Sequence, residues 1–139
     1  MTVYADASAL VKLIVDEAES PAARAYLVPG LQVAASRLVA AEVPRALRRR
    51  YDADPAWAEG VLREIDMIDV SPLILSRAAR LEPPALRTLD AVHLASALEL
   101  GADLEAFVTY DARLAAAARG AGLTVVSPGA HLTGAPRDE

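Results

Sequence analysis

The sequence predicts an α/β fold: a short, mainly parallel sheet of four or five strands flanked by helices on both faces. Two observations carry most of that expectation. Short apolar runs alternate with longer segments whose apolar residues recur at helical spacing. Strands that alternate with helices pair in parallel, because each helix carries the chain back to the same end of the sheet. A third observation concerns the core. Of the 139 residues, 54% are hydrophobic but only 4% aromatic, so Ala, Leu and Val must fill it. That length suits a single domain over residues 1–139 and is short for two.

The elements follow in order. Thr2 to Ala5 reads as a strand that runs into Asp6, and residues 7–15 as a helix. Asp16 to Pro21 marks a turn, with Ser20 as N-cap and Pro21 at the first position of a helix ending near Leu27. Pro29-Gly30 breaks the chain, and residues 31–35 read as a second strand. Ser36 can cap a long helix over residues 37–50, in which Glu42, Arg45 and Arg49 share a face. Pro44 lies inside this helix and should kink it, having no N–H for the carbonyl four residues back.

Asp54-Pro55 opens a helix over residues 56–66, and residues 67–70 suit an edge strand. Ser71-Pro72 starts a helix reaching about Leu81, which Glu82-Pro83-Pro84 terminates. Thr88 caps a helix over residues 89–100 that stops at Gly101. Residues 106–110 form a strand running into Asp111, itself a suitable N-cap for the alanine-rich helix to Arg119. Residues 123–126 are the last strand, and residues 129–139 read as a loose tail.

Several function classes are excluded or disfavoured by composition. With no cysteine there is neither a disulfide framework nor a thiolate metal site, and His93 and His131 are too few for a zinc cage. No apolar run approaches membrane-spanning length, and no basic region precedes an apolar one at the amino terminus, so a cytoplasmic protein without membrane contact is expected. The formal net charge of −5 argues mildly against nonspecific nucleic-acid binding, unless acids and bases are segregated.

Most of the 19 Asp and Glu fall in turns, at helix starts or near the termini. Asp6, Glu42, Asp90 and Asp111 instead stand among apolar or small neighbours. A buried carboxylate is costly unless paired or metal-bound. Four acids brought together also raise one another's pKa until a cation neutralises them. An all-oxygen donor set suits Mg²⁺, which keeps several waters and needs few carboxylates. N-capping and salt bridging are the competing explanations, strongest for Asp111, where a cap alone is worth about 1 kcal/mol.

Four strings carry a resemblance: Tyr4-Ala5-Asp6-Ala7-Ser8-Ala9-Leu10-Val11-Lys12, Ala41-Glu42, Leu86-Arg87-Thr88-Leu89-Asp90-Ala91-Val92-His93-Leu94-Ala95, and Phe107-Val108-Thr109-Tyr110-Asp111. In order and spacing, from Val3 to Pro128, the chain resembles PIN-domain ribonucleases, most nearly the VapC toxins of bacterial toxin–antitoxin pairs. The resemblance implies a PIN-like fold and an acidic pocket holding Mg²⁺ or Mn²⁺. Asp6 and Asp90 would be the most direct ligands, Glu42 and Asp111 would act through water or a second ion, and the Ser8 hydroxyl would support the site. It further implies endonucleolytic cleavage of a cellular RNA (tRNA or rRNA) leaving 5′-phosphate and 3′-hydroxyl ends, silencing by a cognate VapB-like antitoxin, and a homodimer. Pro44 departs from the family pattern and bears on the angle of Glu42.

Other residues have competing readings. His93 reads as a packing histidine that hydrogen-bonds backbone rather than as a ligand or base. Lys12, the only lysine, reads as a surface charge or salt-bridge partner. Arg45, Arg48, Arg49 and Arg50 form the densest basic patch. A helix C-terminus favours cations through its dipole, while Arg45 and Arg49 could hold RNA phosphates beside Glu42. Arg87 and Arg113 are weaker candidates. Two rival functions remain open: a haloacid-dehalogenase-like Mg²⁺ phosphohydrolase, which needs an Asp where Ser8 stands, and a non-catalytic binding module on the same fold.

Overall fold

The computed structural model describes residues 1–130. At its centre is a parallel sheet of five strands in the order β3-β2-β1-β4-β5. They are β1 (Thr2–Ala5), β2 (Val33–Ser36), β3 (Asp66–Ile68), β4 (Leu104–Val108) and β5 (Val125–Val126). The α/β class and the parallel pairing expected from the alternation are both found. From the central β1 the chain builds outward through β2 and β3, then returns to lay β4 and β5 on the other side. Strand order therefore reverses between β1 and β4. In parallel sheets a crevice opens beyond the carboxyl ends at such a point.

The helices are α1 (Ala7–Val11), α2 (Ser20–Tyr26), α3 (Val39–Tyr51), α4 (Ala58–Leu62), α5 (Pro72–Ala78), α6 (Thr88–Leu98) and α7 (Ala112–Gly120). Side chains alternate across the sheet with the period of two that strands impose. Val3, Ala5, Ala106 and Val108 face a core with Leu10 of α1 and Val39, Val43 and Leu47 of α3. Tyr4 and Phe107 face the opposite side, with Leu94 of α6 and Leu114 of α7, and their rings stack at 5.1 Å. No helix among the described residues is long and apolar enough to cross a membrane.

Several boundaries differ from expectation, for local reasons. The first helix stops at Val11 rather than residue 15: the chain tightens into turns in which the Leu13 and Ile14 N–H groups donate three residues back to the Leu10 and Val11 carbonyls, and the Val15 carbonyl accepts from Ser20 Oγ (2.7 Å) and Arg24. Ser20 is therefore not an N-cap: its hydroxyl turns inward, also accepts the Glu17 N–H, and α2 begins at Ser20 itself. Thr88 likewise is the first residue of α6, with Arg87 before it making no side-chain cap. The segment expected as one helix over 56–66 is a 3-10 turn at Pro55–Trp57 followed by the short α4.

Residues 109–110 leave the strand expected over 106–110, as the Tyr110 N–H donates to Ser8 Oγ instead of to a neighbouring strand. Helix α3 starts at Val39 and runs through Pro44 to a left-handed Asp52. The Ala40 carbonyl, which Pro44 leaves without a donor, belongs to an exposed residue that water can reach. Of the expected tail, Gly129 is turned at φ +79° beside Ala22 of α2, where a Cβ would collide at 2.9 Å. Residues 131–139 lie outside the described part of the chain.

Candidate active site

Asp6 is the first residue past β1 and the N-cap of α1. Its Oδ1 accepts from Ser8 Oγ (2.7 Å) and the Ala9 N–H (3.1 Å), and its Oδ2 from Thr109 Oγ1 (2.7 Å). The residue is only 4% exposed. Burial pushes its carboxyl above the usual range, against the opposing charge of His93 and those three hydrogen bonds. Ser8, expected to support the site, braces Asp6 and accepts the Tyr110 N–H at 2.9 Å.

Thr109 was not singled out from the sequence, yet it is fully buried just past β4 and joins two acids. Its hydroxyl donates to Asp6 and accepts the Asp111 N–H at 3.0 Å. A signal existed: Thr109 precedes Asp111 by two residues at a strand end, as Ser8 follows Asp6 by two. Asp111 caps α7, its Oδ1 accepting the Arg113 and Leu114 N–H groups at 2.9 and 3.0 Å. The cap uses that one oxygen.

Asp90 lies in the first turn of α6, half-buried. Burial raises its pKa and the Asp111 charge raises it further, with Asp6 adding and His93 and Arg87 opposing. Asp90 therefore feels the carboxylates of Asp111 and Asp6, although the three come from α6, the connection after β4 and the connection after β1.

Glu42 reaches this region through a side chain that the sequence reading misjudged. His93 was expected to bond backbone; instead its Nε2–H donates to Glu42 Oε1 at 2.6 Å and its Nδ1 meets the Tyr4 hydroxyl at 2.7 Å. The Tyr4 oxygen in turn accepts the Ser36 N–H at 3.0 Å. Burial works to lower the imidazole pKa, but the Glu42 hydrogen bond and the charges of Glu42, Asp6 and Asp90 outweigh it, so the net shift is upward. Burial also raises the Tyr4 phenol. The missed signal was chemical: a histidine one turn after Asp90 faces the same end of the sheet.

A cavity of about 650 Å³ opens above these groups. Ser8, Glu42 and Asp111 line it together with Arg45, Arg49 and Arg50; Asp6 and Asp90 are not among its lining residues, though Asp90 adjoins the lining Leu89. Lys12 also lines it but is committed to Glu17 and Glu19, both at 2.8 Å, which makes it the salt-bridge partner expected. Arg87 and Arg113 are exposed and line no part of it. Among the described residues no three acidic or imidazole groups close around a single point as a ready-made cage. The donors are nevertheless all oxygen, and such spacing is compatible with an ion that takes one or two carboxylates directly and reaches others through its own waters.

The chain matches the family model described as PIN domain over residues 3–120. It is 42% identical to Ribonuclease VapC46 of Mycobacterium tuberculosis over 91% of its own length and 97% of that protein's. With Ribonuclease VapC47 of the same species the identity is 37%, over 92% of this chain and 98% of the relative. Among solved structures, it superposes on the M. tuberculosis toxin VapC20, described as cleaving the sarcin–ricin loop, with a TM-score of 0.68 at 19% identity, covering 91% and 99% of the two chains. A toxin–antitoxin complex from Klebsiella pneumoniae gives a TM-score of 0.66 at 23% identity, covering 91% and 97%. At those identities the two structures speak to the fold.

Proposed function

This chain belongs to the PIN-domain family, and from that premise we propose that it is a metal-dependent endoribonuclease, the toxin of a toxin–antitoxin pair. The observation that supports the proposal is that Asp90 feels the charges of Asp111 and Asp6, and that Glu42 is tied to the same helix through His93, beside a cavity that Glu42, Asp111, Arg45 and Arg49 line together. Asp6 and Asp90 are the groups that would hold Mg²⁺ or Mn²⁺ directly, with Glu42 and Asp111 engaged through water or a second ion. When bound, the cation supplies charge for the scissile phosphate and makes water nucleophilic near neutral pH. Ser8 and Thr109 hold the Asp6 carboxylate in one orientation. Arg45 and Arg49, which line the same cavity as Glu42 and Asp111, bind phosphates of the RNA strand. The attack is in line, leaving 5′-phosphate and 3′-hydroxyl ends.

The substrate is a cellular RNA, tRNA or rRNA, whose cutting restrains translation. Relatives named VapC and the toxin–antitoxin complex among the structural neighbours support a VapB-like antitoxin as partner, and a homodimer is part of the same reading. The phosphohydrolase alternative needs a second Asp where Ser8 stands, with its hydroxyl spent on Asp6 and Tyr110.

The test is cleavage of total cellular RNA by the purified chain with Mg²⁺ or Mn²⁺ and with chelator. Asp6→Asn and Asp90→Asn should each lower the rate by at least about a hundredfold, the scale of losing an electrostatic group at a reacting centre, while circular dichroism stays unchanged. Undiminished cutting by either folded variant would refute the site.

A further inference from the structure

We propose that His93, held by Tyr4, is a positioning residue that fixes Glu42 with one carboxylate oxygen committed and the other presented to the cation. This rests on the metal-dependent reading above. Oε1 of Glu42 lies 2.6 Å from His93 Nε2, so that oxygen is engaged by a side chain that is only 2% exposed. Among the described residues the Glu42 carboxylate has no other hydrogen bond, leaving Oε2 as the oxygen able to face the cavity that Glu42 lines. A glutamate on a helix has three side-chain torsions, and fixing one oxygen removes most of that freedom.

The imidazole is itself held from behind. Its Nδ1 is 2.7 Å from the Tyr4 hydroxyl, whose oxygen accepts the Ser36 N–H at the end of β2. Tyr4 is fully buried on the central strand and is stacked on Phe107 with the rings 15° from parallel. A continuous chain of hydrogen bonds thus runs from the backbone of β2 through β1 and α6 to a carboxylate on α3. With the Nε2–H given to Glu42, a neutral ring takes the Tyr4 O–H at Nδ1, and every group in the chain is satisfied. No buried side-chain polar atom among the described residues is left without a partner.

The consequence is specific. Removing the imidazole frees Glu42 to rotate, so cation affinity should fall even though His93 touches neither metal nor RNA. Supporting partners of metal ligands are typically worth about 10- to 100-fold in metal affinity. The arrangement also answers the question Pro44 raises about Glu42. Whatever the local bend of α3, the carboxylate is fixed by α6.

The experiment is Mn²⁺ binding to the full chain without RNA, followed by the electron paramagnetic resonance of free Mn²⁺ at fixed pH. His93→Phe should weaken binding about 10- to 100-fold, while His93→Gln, whose amide can again donate to Glu42, should recover most of the loss. In a Glu42→Gln background, His93→Phe should cause no further loss. Tyr4→Phe, which removes only the hydroxyl, should give a smaller loss and serves if His93→Phe does not fold. Folded His93→Phe, or Tyr4→Phe in its place, with wild-type affinity would overturn the inference, as would losses that add in the double variant. Weakening by Asp90→Asn alone would then show the metal reading standing without it. A wild-type chain that binds no Mn²⁺ overturns both.

Discussion

Asp6 accepts three hydrogen bonds on two oxygens, and two of the donors, Ser8 and Thr109, lie 101 residues apart in sequence. A carboxylate this buried is tolerable as an anion only because those donors are aimed at it. Thr109→Val keeps the shape but removes the donor to Asp6 and the acceptor for the Asp111 N–H. It should cost about 1–3 kcal/mol in urea denaturation, the scale of stranding a buried polar group; unchanged stability would deny the hydroxyl this role. The sequence pointed to Ser8 through the family string but not to Thr109. A threonine in an apolar strand is ordinary, and only the pairing of β1 with β4 turns it toward Asp6.

Helix α3 brings together functions that its periodicity partly revealed. Glu42, Arg45 and Arg49 were expected on one face, and all three line the same cavity. If the arginines hold RNA phosphates, Arg45→Ala and Arg49→Ala in a non-cleaving Asp6→Asn chain should each reduce the slope of log affinity against log salt by about 0.7, the single-strand value per contact. Unaltered slopes would return both arginines to the helix-dipole explanation. The far end of α3 is tied to the loop after α1 by Tyr51, whose hydroxyl donates to Glu17, and Lys12 joins Glu17 and Glu19. Lys12 and then Tyr51 hold the Glu17 carboxyl below its ordinary value, against burial. A lowered folded pKa means stability that is present above the ordinary glutamate range and is lost as pH falls through the folded value. Glu17→Gln should therefore flatten the acid limb of a stability–pH curve while lowering stability at neutral pH.

At the scale of the whole molecule, the proposed acids follow β1, lie on α3 and α6, and precede α7, and strand order reverses between β1 and β4 at the centre of the sheet. Burial raises the Asp6 carboxyl, and burial with the charges of Asp111 and Asp6 raises that of Asp90; on the proposed reading a cation would relieve both. Mn²⁺ or Mg²⁺ at a hundred times its dissociation constant should stabilise the chain by about 2.7 kcal/mol through mass action. Thermal unfolding in Asp90→Asn should lose that response; an equal shift in wild type and variant would place the cation elsewhere. The α/β class, the parallel pairing and the family were legible in the order of apolar runs and in four short strings, because periodicity and composition are local properties. Helix ends were legible where a side chain caps its own turn, as Asp54, Ser71 and Asp111 do. They were misread at Ser20, where the hydroxyl bonds back across the preceding turn. What only the tertiary structure decided is which polar side chains hold the acids. The partners of Glu42 and Asp6 lie 51 and 103 residues away in sequence. No local pattern records a hydrogen bond that exists only once separate strands and helices have packed together.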